Sequence, residues 1–233
     1  MRVSALLPLL LLGCGAASGE PRRDEAPLVI ELFTSQGCSS CPPAEALLNK
    51  LAHDAGKRPL APLAFHVDYW DDLGWPDPYA SPAWSERQRQ YASALGDNRV
   101  YTPELVVGGK VGMVGSQATR VLQAIAAAPK QQHIAATATW QKSSITVDAT
   151  APADADVFVA IYQDGTRTKI ARGENAGETL TSDRVVRKLQ RVAAAGKKGS
   201  LTIAIDPSWQ TVGAIAFAQR ADRAIVGSAV LPH

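Results

Sequence analysis

Leu28-Val29-Ile30-Glu31-Leu32-Phe33-Thr34-Ser35-Gln36-Gly37-Cys38-Ser39-Ser40-Cys41-Pro42-Pro43 is the most informative stretch of this chain. Its first six residues, apolar except for Glu31, read as a short buried strand. Thr34 to Gly37 form a loop, and a helix follows. Ser39 and Ser40 are cap candidates, and Pro42-Pro43 fall in the first turn, where a missing N–H costs little. Ala44, Leu47, Leu48 and Leu51 then recur at helical spacing and give one apolar face. The order is strand, Cys-x-x-Cys, helix.

A thiol attacks only as a thiolate, and a helix N-terminus favours that anion through its dipole and free N–H groups. Cys38 is therefore placed to act as nucleophile and Cys41, one turn on, to resolve a mixed disulfide. A purely structural bridge is the plainer alternative. Closing so short a loop contributes only about 2 kcal/mol, less than a wider bridge would. A metal half-site is the other alternative, because a Cys-x-x-Cys pair is half of a zinc ribbon. The second half is missing, since no His pair stands at ligand spacing.

The 233 residues allow one large domain or two ordinary ones, and 46% hydrophobic with 20% charged residues describes a globular chain. A net charge of +2 without a Lys/Arg block argues against a nucleic-acid partner. Arg2 followed by the apolar run Val3 to Leu12 reads as a signal segment over residues 1–17, too short to span a bilayer. Leu11-Leu12-Gly13-Cys14 resembles a lipobox with Cys14 as the lipidated residue, and Gly15-Ala16-Ala17 offers ordinary cleavage instead. Either way Cys14 accounts for the odd one of three cysteines, leaving Cys38 and Cys41 alone in the mature chain. Residues 18–27, polar with two prolines, read as a linker.

Further along, Leu63 to Tyr69 reads as a second strand, and His66 and Asp68 alternate onto one face of it. Both are candidate neighbours of the site, as are Glu31 and Trp70. The Trp70–Ser81 stretch is loop, and Ser81-Pro82 starts a helix that carries Trp84 and Tyr91 and ends near Gly96. Trp70, Trp75 and Trp84 either roof the site or pack together as a small core. Glu104-Leu105-Val106-Val107, a Gly108-Gly109 turn, a strand through Val114 and a helix capped by Ser116 complete this half. That last helix has Val121, Leu122 and Ile125 as its apolar face. From Gln131 the pattern alternates through at least six strand candidates, with Asp164-Gly165 as a hairpin signal. Arg184, Arg187, Lys188 and Arg191 read as a solvated basic face.

Strand, Cys-x-x-Cys at a helix start, then Thr102-Pro103 opening a strand–strand–helix unit resembles the thioredoxin superfamily over residues 27–129. That resemblance implies a cis Pro103 packed against the disulfide and a Thr102 that hydrogen-bonds an extended substrate. Departures are Gly37 in place of Trp, Ser39-Ser40 in place of Gly-Pro, and Glu31 one register off the buried acid. More narrowly, the run from Glu31 to Pro43 resembles domain of unknown function 1223, a family of secreted bacterial proteins. Phe65-His66-Val67-Asp68-Tyr69-Trp70-Asp71, Tyr101-Thr102-Pro103, Gly173-Glu174-Asn175-Ala176-Gly177 and Val185-Val186-Arg187 also resemble its pattern.

The expected fold is a thioredoxin-like α/β domain with a helical insertion over residues 28–129, then a smaller all-β, sandwich-like domain over 131–233. The expected function is thiol–disulfide exchange by Cys38 and Cys41, with Pro103 shaping the groove, on protein or small-molecule thiols and disulfides. No cofactor beyond the redox-active disulfide is expected. The expected location is exported, either periplasmic or membrane-anchored through Cys14. The alternatives are a soft-metal (copper) site formed by Cys38, Cys41 and His66, and a non-catalytic envelope binding module.

Overall fold

The computed structural model describes residues 25–53, 58–97 and 99–233. The expected signal segment, Cys14 and the linker through residue 24 lie outside the described residues. Leu28–Thr34 forms β1, buried along its whole length. Leu28, Ile30 and Leu32 face one core and Val29 and Phe33 another, so both faces are covered, and the strand reads as a continuous apolar run. α1 (Pro42–His53) packs Ala44, Leu48 and Leu51 against the first of these faces. β2 (Leu60–His66) runs parallel to β1, with His66 opposite Thr34. Ser81 caps α2 (Pro82–Leu95), accepting from the Ala83 N–H, and the helix stops at Gly96 in the left-handed region. β3 (Glu104–Val107) pairs antiparallel with both β1 and β4 (Val111–Val114). α3 (Ala118–Ala127) begins at Gln117 without a side-chain cap, so Ser116 does not serve, and it buries Val121 and Ile125 but leaves Leu122 exposed.

The remaining strands are β5 (Gln132–His133), β6 (Ala135–Gln141), β7 (Ser144–Thr150), β8 (Asp156–Gln163), β9 (Thr166–Lys169) and β10 (Thr179–Ser182). They continue through β11 (Val185–Ala193), β12 (Lys198–Ala204), β13 (Val212–Gln219) and β14 (Ile225–Leu231). One mixed sheet of nine strands takes the order β4-β3-β1-β2-β11-β8-β13-β14-β5. A three-stranded sheet, β12-β7-β6, covers part of it, and among the described residues β9 and β10 pair only with each other.

This arrangement overturns the expected α/β domain followed by a separate all-β domain. β2 is not an outer edge of a first unit, because Val185 of β11 pairs with Ala64 and the Ala64 N–H donates to Arg184 O at 2.8 Å. The core under α2 is shared: Val29, Phe33, Phe65, Trp84 and Tyr91 pack with Ala160, Tyr162, Val186, Ile215 and Phe217. The other face is covered by α1 and α3 along the first half and by the three-stranded sheet along the second. α2, expected as an insertion peripheral to one domain, lies across strands from both halves. Asp164-Gly165 does turn the chain, with Gly165 at φ 67°. The strands flanking it, β8 and β9, belong to different sheets, so it closes no hairpin.

Candidate functional site

Cys38 and Cys41 form a disulfide with their Cα atoms 5.5 Å apart, at the point where the loop after β1 becomes α1. Both residues are wholly buried. The N–H groups of Ala44 and Glu45 donate to Cys41 O at 2.9 and 3.1 Å, closing the first turn. Pro42 and Pro43 remove two of the donors that a helix start normally offers. Among the described residues, the polar contact at the Cys38 sulfur is the Ser40 hydroxyl, with Oγ 3.3 Å from Sγ. The same hydroxyl lies 3.5 Å from Thr102 O. The Thr102–Pro103 peptide bond is cis. The Trp70 indole N–H donates to Thr102 Oγ1 at 2.8 Å, so the loop after β2 is tied to the residue before Pro103. A Cβ at Gly37 would stand 3.3 Å from Trp70 Cβ and 3.4 Å from Trp75 O. Gly37 therefore lets this loop approach closely, and a side chain there would press on Trp70.

Beside this loop lies a buried ion pair. His66 Nδ1 is 2.7 Å from Asp77 Oδ2, and that oxygen also accepts from the Gln36 N–H at 2.8 Å. Burial alone would drive the imidazole towards its neutral form. The Asp77 charge and hydrogen bond outweigh burial and hold His66 above its ordinary value. Burial likewise pushes Asp77 up, but His66 and the N–H groups of Gln36 and Tyr79 hold its carboxyl below the usual range. His66 Nε2, also buried, has no hydrogen-bond partner among the described residues. A second carboxylate, Glu45, sits one helical turn after Cys41 and is buried. It accepts from the Thr34 hydroxyl at 2.7 Å and the Ser182 hydroxyl at 2.5 Å.

The chain's second half supplies the rest of the site. Between β9 and β10, the Glu174 carboxylate accepts from the Ser39 N–H at 2.9 Å. The Asn175 amide donates to Gln36 O and Cys38 O at 2.8 and 3.1 Å. The Gln36 amide donates to Thr168 Oγ1 at 3.0 Å, and the Trp75 indole N–H donates to Gln36 Oε1 at 3.3 Å. Two of the three clustered tryptophans, Trp70 and Trp75, thus bind the residues around the disulfide. Trp84 packs instead edge-on against Phe65 in the core, with ring centroids 5.1 Å apart.

Two expected neighbours lie elsewhere. Glu31 faces α2, on the side of the sheet away from α1, and is paired with Arg87 at 2.8 Å and hydrogen-bonded by Tyr91. Asp68 is engaged with the Ser85 hydroxyl at the start of α2. Among the described residues, no group of three or more His, Cys, Asp or Glu side chains is arranged to hold a metal ion, so Cys38, Cys41 and His66 do not form one. Asp77, Glu45, Glu174 and Asn175 escaped the residue-by-residue reading. The motif Gly173 to Gly177 was the one sequence signal for the last two.

A family model described as protein of unknown function (DUF1223) matches residues 29–219. No curated protein matches the chain. Among solved structures, the chain is similar to the crystal structure of a protein from Agrobacterium tumefaciens, at 28% identity and a TM-score of 0.68, over 89% of this chain and 95% of that one. It is also similar to HBP35 of Porphyromonas gingivalis, at 12% identity and a TM-score of 0.61, over 89% of this chain and 75% of that one, a likeness of fold alone. Matched over most of its length, the chain belongs to the DUF1223 family of proteins of unknown function.

Proposed function

We propose that this protein is a thiol–disulfide oxidoreductase in which Cys38 exchanges and Cys41 resolves. The observation that carries the reading is the Cys38–Cys41 disulfide at the start of α1, with the Ser40 hydroxyl bridging towards Thr102. An incoming thiolate attacks Cys38 Sγ, forming a mixed disulfide as the Cys38–Cys41 bond breaks and Cys41 leaves as a thiolate that takes up a proton. A second thiolate of the substrate then attacks the substrate sulfur of the mixed disulfide, and Cys38 leaves. The substrate dithiol is oxidised to a disulfide, and the protein disulfide is reduced to two thiols; in the reverse direction Cys41 attacks Cys38 Sγ of the mixed disulfide and resolves it. The dipole of α1 and the Ser40 hydroxyl favour Cys38 as the anionic sulfur. The substrates are protein or small-molecule thiols. The signal-like residues 1–17 support an exported setting, with Cys14 as the candidate membrane anchor.

The full burial of both cysteines favours a second reading, a fixed disulfide in a non-catalytic envelope module. Titrating the purified protein against a glutathione redox buffer separates the two. An exchanging pair has a potential well above about −300 mV, and the Cys41→Ser variant accumulates a mixed disulfide with a small aromatic disulfide probe whereas Cys38→Ser does not. A potential below that figure, with no adduct on Cys38, establishes the fixed bridge.

A further inference from the structure

We infer that the loop 170–178 is an autoinhibitory lid on the Cys38–Cys41 disulfide, an inference that rests on the exchange reading above and adds its control. Cys38 is wholly buried, and the side chains that hold the backbone around it come from the other half of the chain. Glu174 accepts from the Ser39 N–H, and Asn175 donates to the carbonyls of Gln36 and Cys38. These are backbone groups of the very loop that a partner must approach. The lid therefore holds the backbone from Gln36 to Ser39, the segment that carries the exchanging sulfur.

The loop is built to hold its shape by itself. Ala176 N–H donates to Gly173 O, Gly177 N–H to Ile170 O, and Glu178 N–H to Asn175 O. Gly173 and Gly177 stand at φ 85° and 91°, a backbone conformation that glycine adopts without cost. The strands that carry the lid, β9 and β10, hydrogen-bond as a ladder only to each other, so the tip can lift without breaking the nine-stranded sheet. Their base stays fixed to α1, where Asn49 donates to Thr181 O at 3.0 Å and the Asp183 N–H donates to Asn49 Oδ1 at 3.0 Å. The tip rests on bare backbone: a Cβ at Gly74 would stand 3.1 Å from Gly173 Cα.

Glu174 also sets the chemistry of the closed state. Its carboxylate occupies the Ser39 N–H at the helix start and adds a negative charge beside Cys38. Both effects oppose a Cys38 thiolate. Lifting the lid exposes the sulfur and frees that N–H together, so access and nucleophilicity rise in one movement.

The test is the rate at which dithiothreitol reduces the disulfide in the full protein, measured where circular dichroism shows each variant folded. Glu174→Ala removes a charge-assisted hydrogen bond from an exposed position, and a roughly tenfold faster reduction is expected. Asn175→Ala removes two hydrogen bonds and accelerates reduction further. Glu174→Gln keeps an acceptor and stays nearer to wild type in rate, while its Cys38 pKa in the reduced protein falls. Hydrogen exchange at the Ser39 amide, slow in wild type, becomes fast in Glu174→Ala. Wild-type reduction rates in both alanine variants overturn the lid. The reduction potential and the Cys41→Ser adduct judge the exchange reading separately, so a low potential with accelerated variants removes the enzyme and its autoinhibition and leaves only a cover over a fixed disulfide.

Discussion

Asp77 Oδ2 lies 2.7 Å from His66 Nδ1 and 2.8 Å from the Gln36 N–H, so one oxygen joins β2 to the loop that leads into Cys38. The pH dependence of this pair follows from the two opposite shifts. His66 is held above its unfolded value of about 6.5, so its contribution is complete below that pH and is lost as pH rises through the folded value. Asp77 is held below its unfolded value of about 3.9, so its contribution is complete above that pH and is lost as pH falls through the folded value. Both are at full strength between about pH 4 and 6.5. Removing one partner of a buried pair costs about 3–5 kcal/mol, the expected loss for Asp77→Asn in that window. Thermal melts of wild type and Asp77→Asn across pH check this. The gap in Tm is widest between those limits and narrows towards either extreme, and a gap independent of pH refutes the ion pair.

At the scale of elements, α2 is the piece that spans the sheet. Arg87 donates from Nε to Glu31 Oε1 at 2.9 Å and from Nη1 to Gln219 Oε1 at 3.2 Å, joining β1 to β13. Its guanidinium also stands over the rings of Phe65, Tyr91 and Phe217. Arg87→Ala leaves Glu31 buried and unpaired, and about 3–5 kcal/mol of unfolding free energy is lost in urea titrations. Replacing the pair by Glu31→Leu with Arg87→Met recovers most of that loss, because no buried charge remains. If the double variant is as unstable as the single one, packing of Arg87 rather than its charge is what matters. The sequence announced β1, the start of α1 and the Ser81-Pro82 start of α2, because each signal is complete within a short window. It hid β11, whose Arg187, Lys188 and Arg191 read as a solvated face. Register shifts after Val186 and Arg191 interrupt its alternation, and Arg187 stacks over Tyr79 and Trp209. The candidate site divides the same way. Cys38, Cys41 and Thr102 were legible, whereas Asn175 reaches its partner Gln36 across 139 residues, and no local pattern encodes that distance.

At the scale of the whole molecule, the question is whether residues 28–129 fold without the rest. Cutting after Pro129 would bare the edge of β2, because Ala64 loses its pairing to the segment around Val185. An uncovered strand edge invites association with other chains. The same cut takes Ala160, Tyr162, Val186, Ile215 and Phe217 out of the core under α2, and Gln219 from Arg87. It also removes the Ser182 hydroxyl from Glu45 and the Asn175 amide from the disulfide loop, leaving polar groups of the site without partners. Buried polar groups left unpaired cost about 1–3 kcal/mol each, a large fraction of the stability of any small domain. A protein ending at Pro129 is therefore expected to aggregate or to lack fixed tertiary structure, read by near-ultraviolet circular dichroism. The full chain is expected to unfold as one unit. In a Trp140→Phe/Trp209→Phe variant, fluorescence reports only Trp70, Trp75 and Trp84 in the first half. Its urea transition should coincide with the far-ultraviolet signal, to which strands from both halves contribute. Two separated transitions, or a well-folded fragment, would restore two independent domains and make β11 a docking strand between them rather than a member of one cooperative sheet.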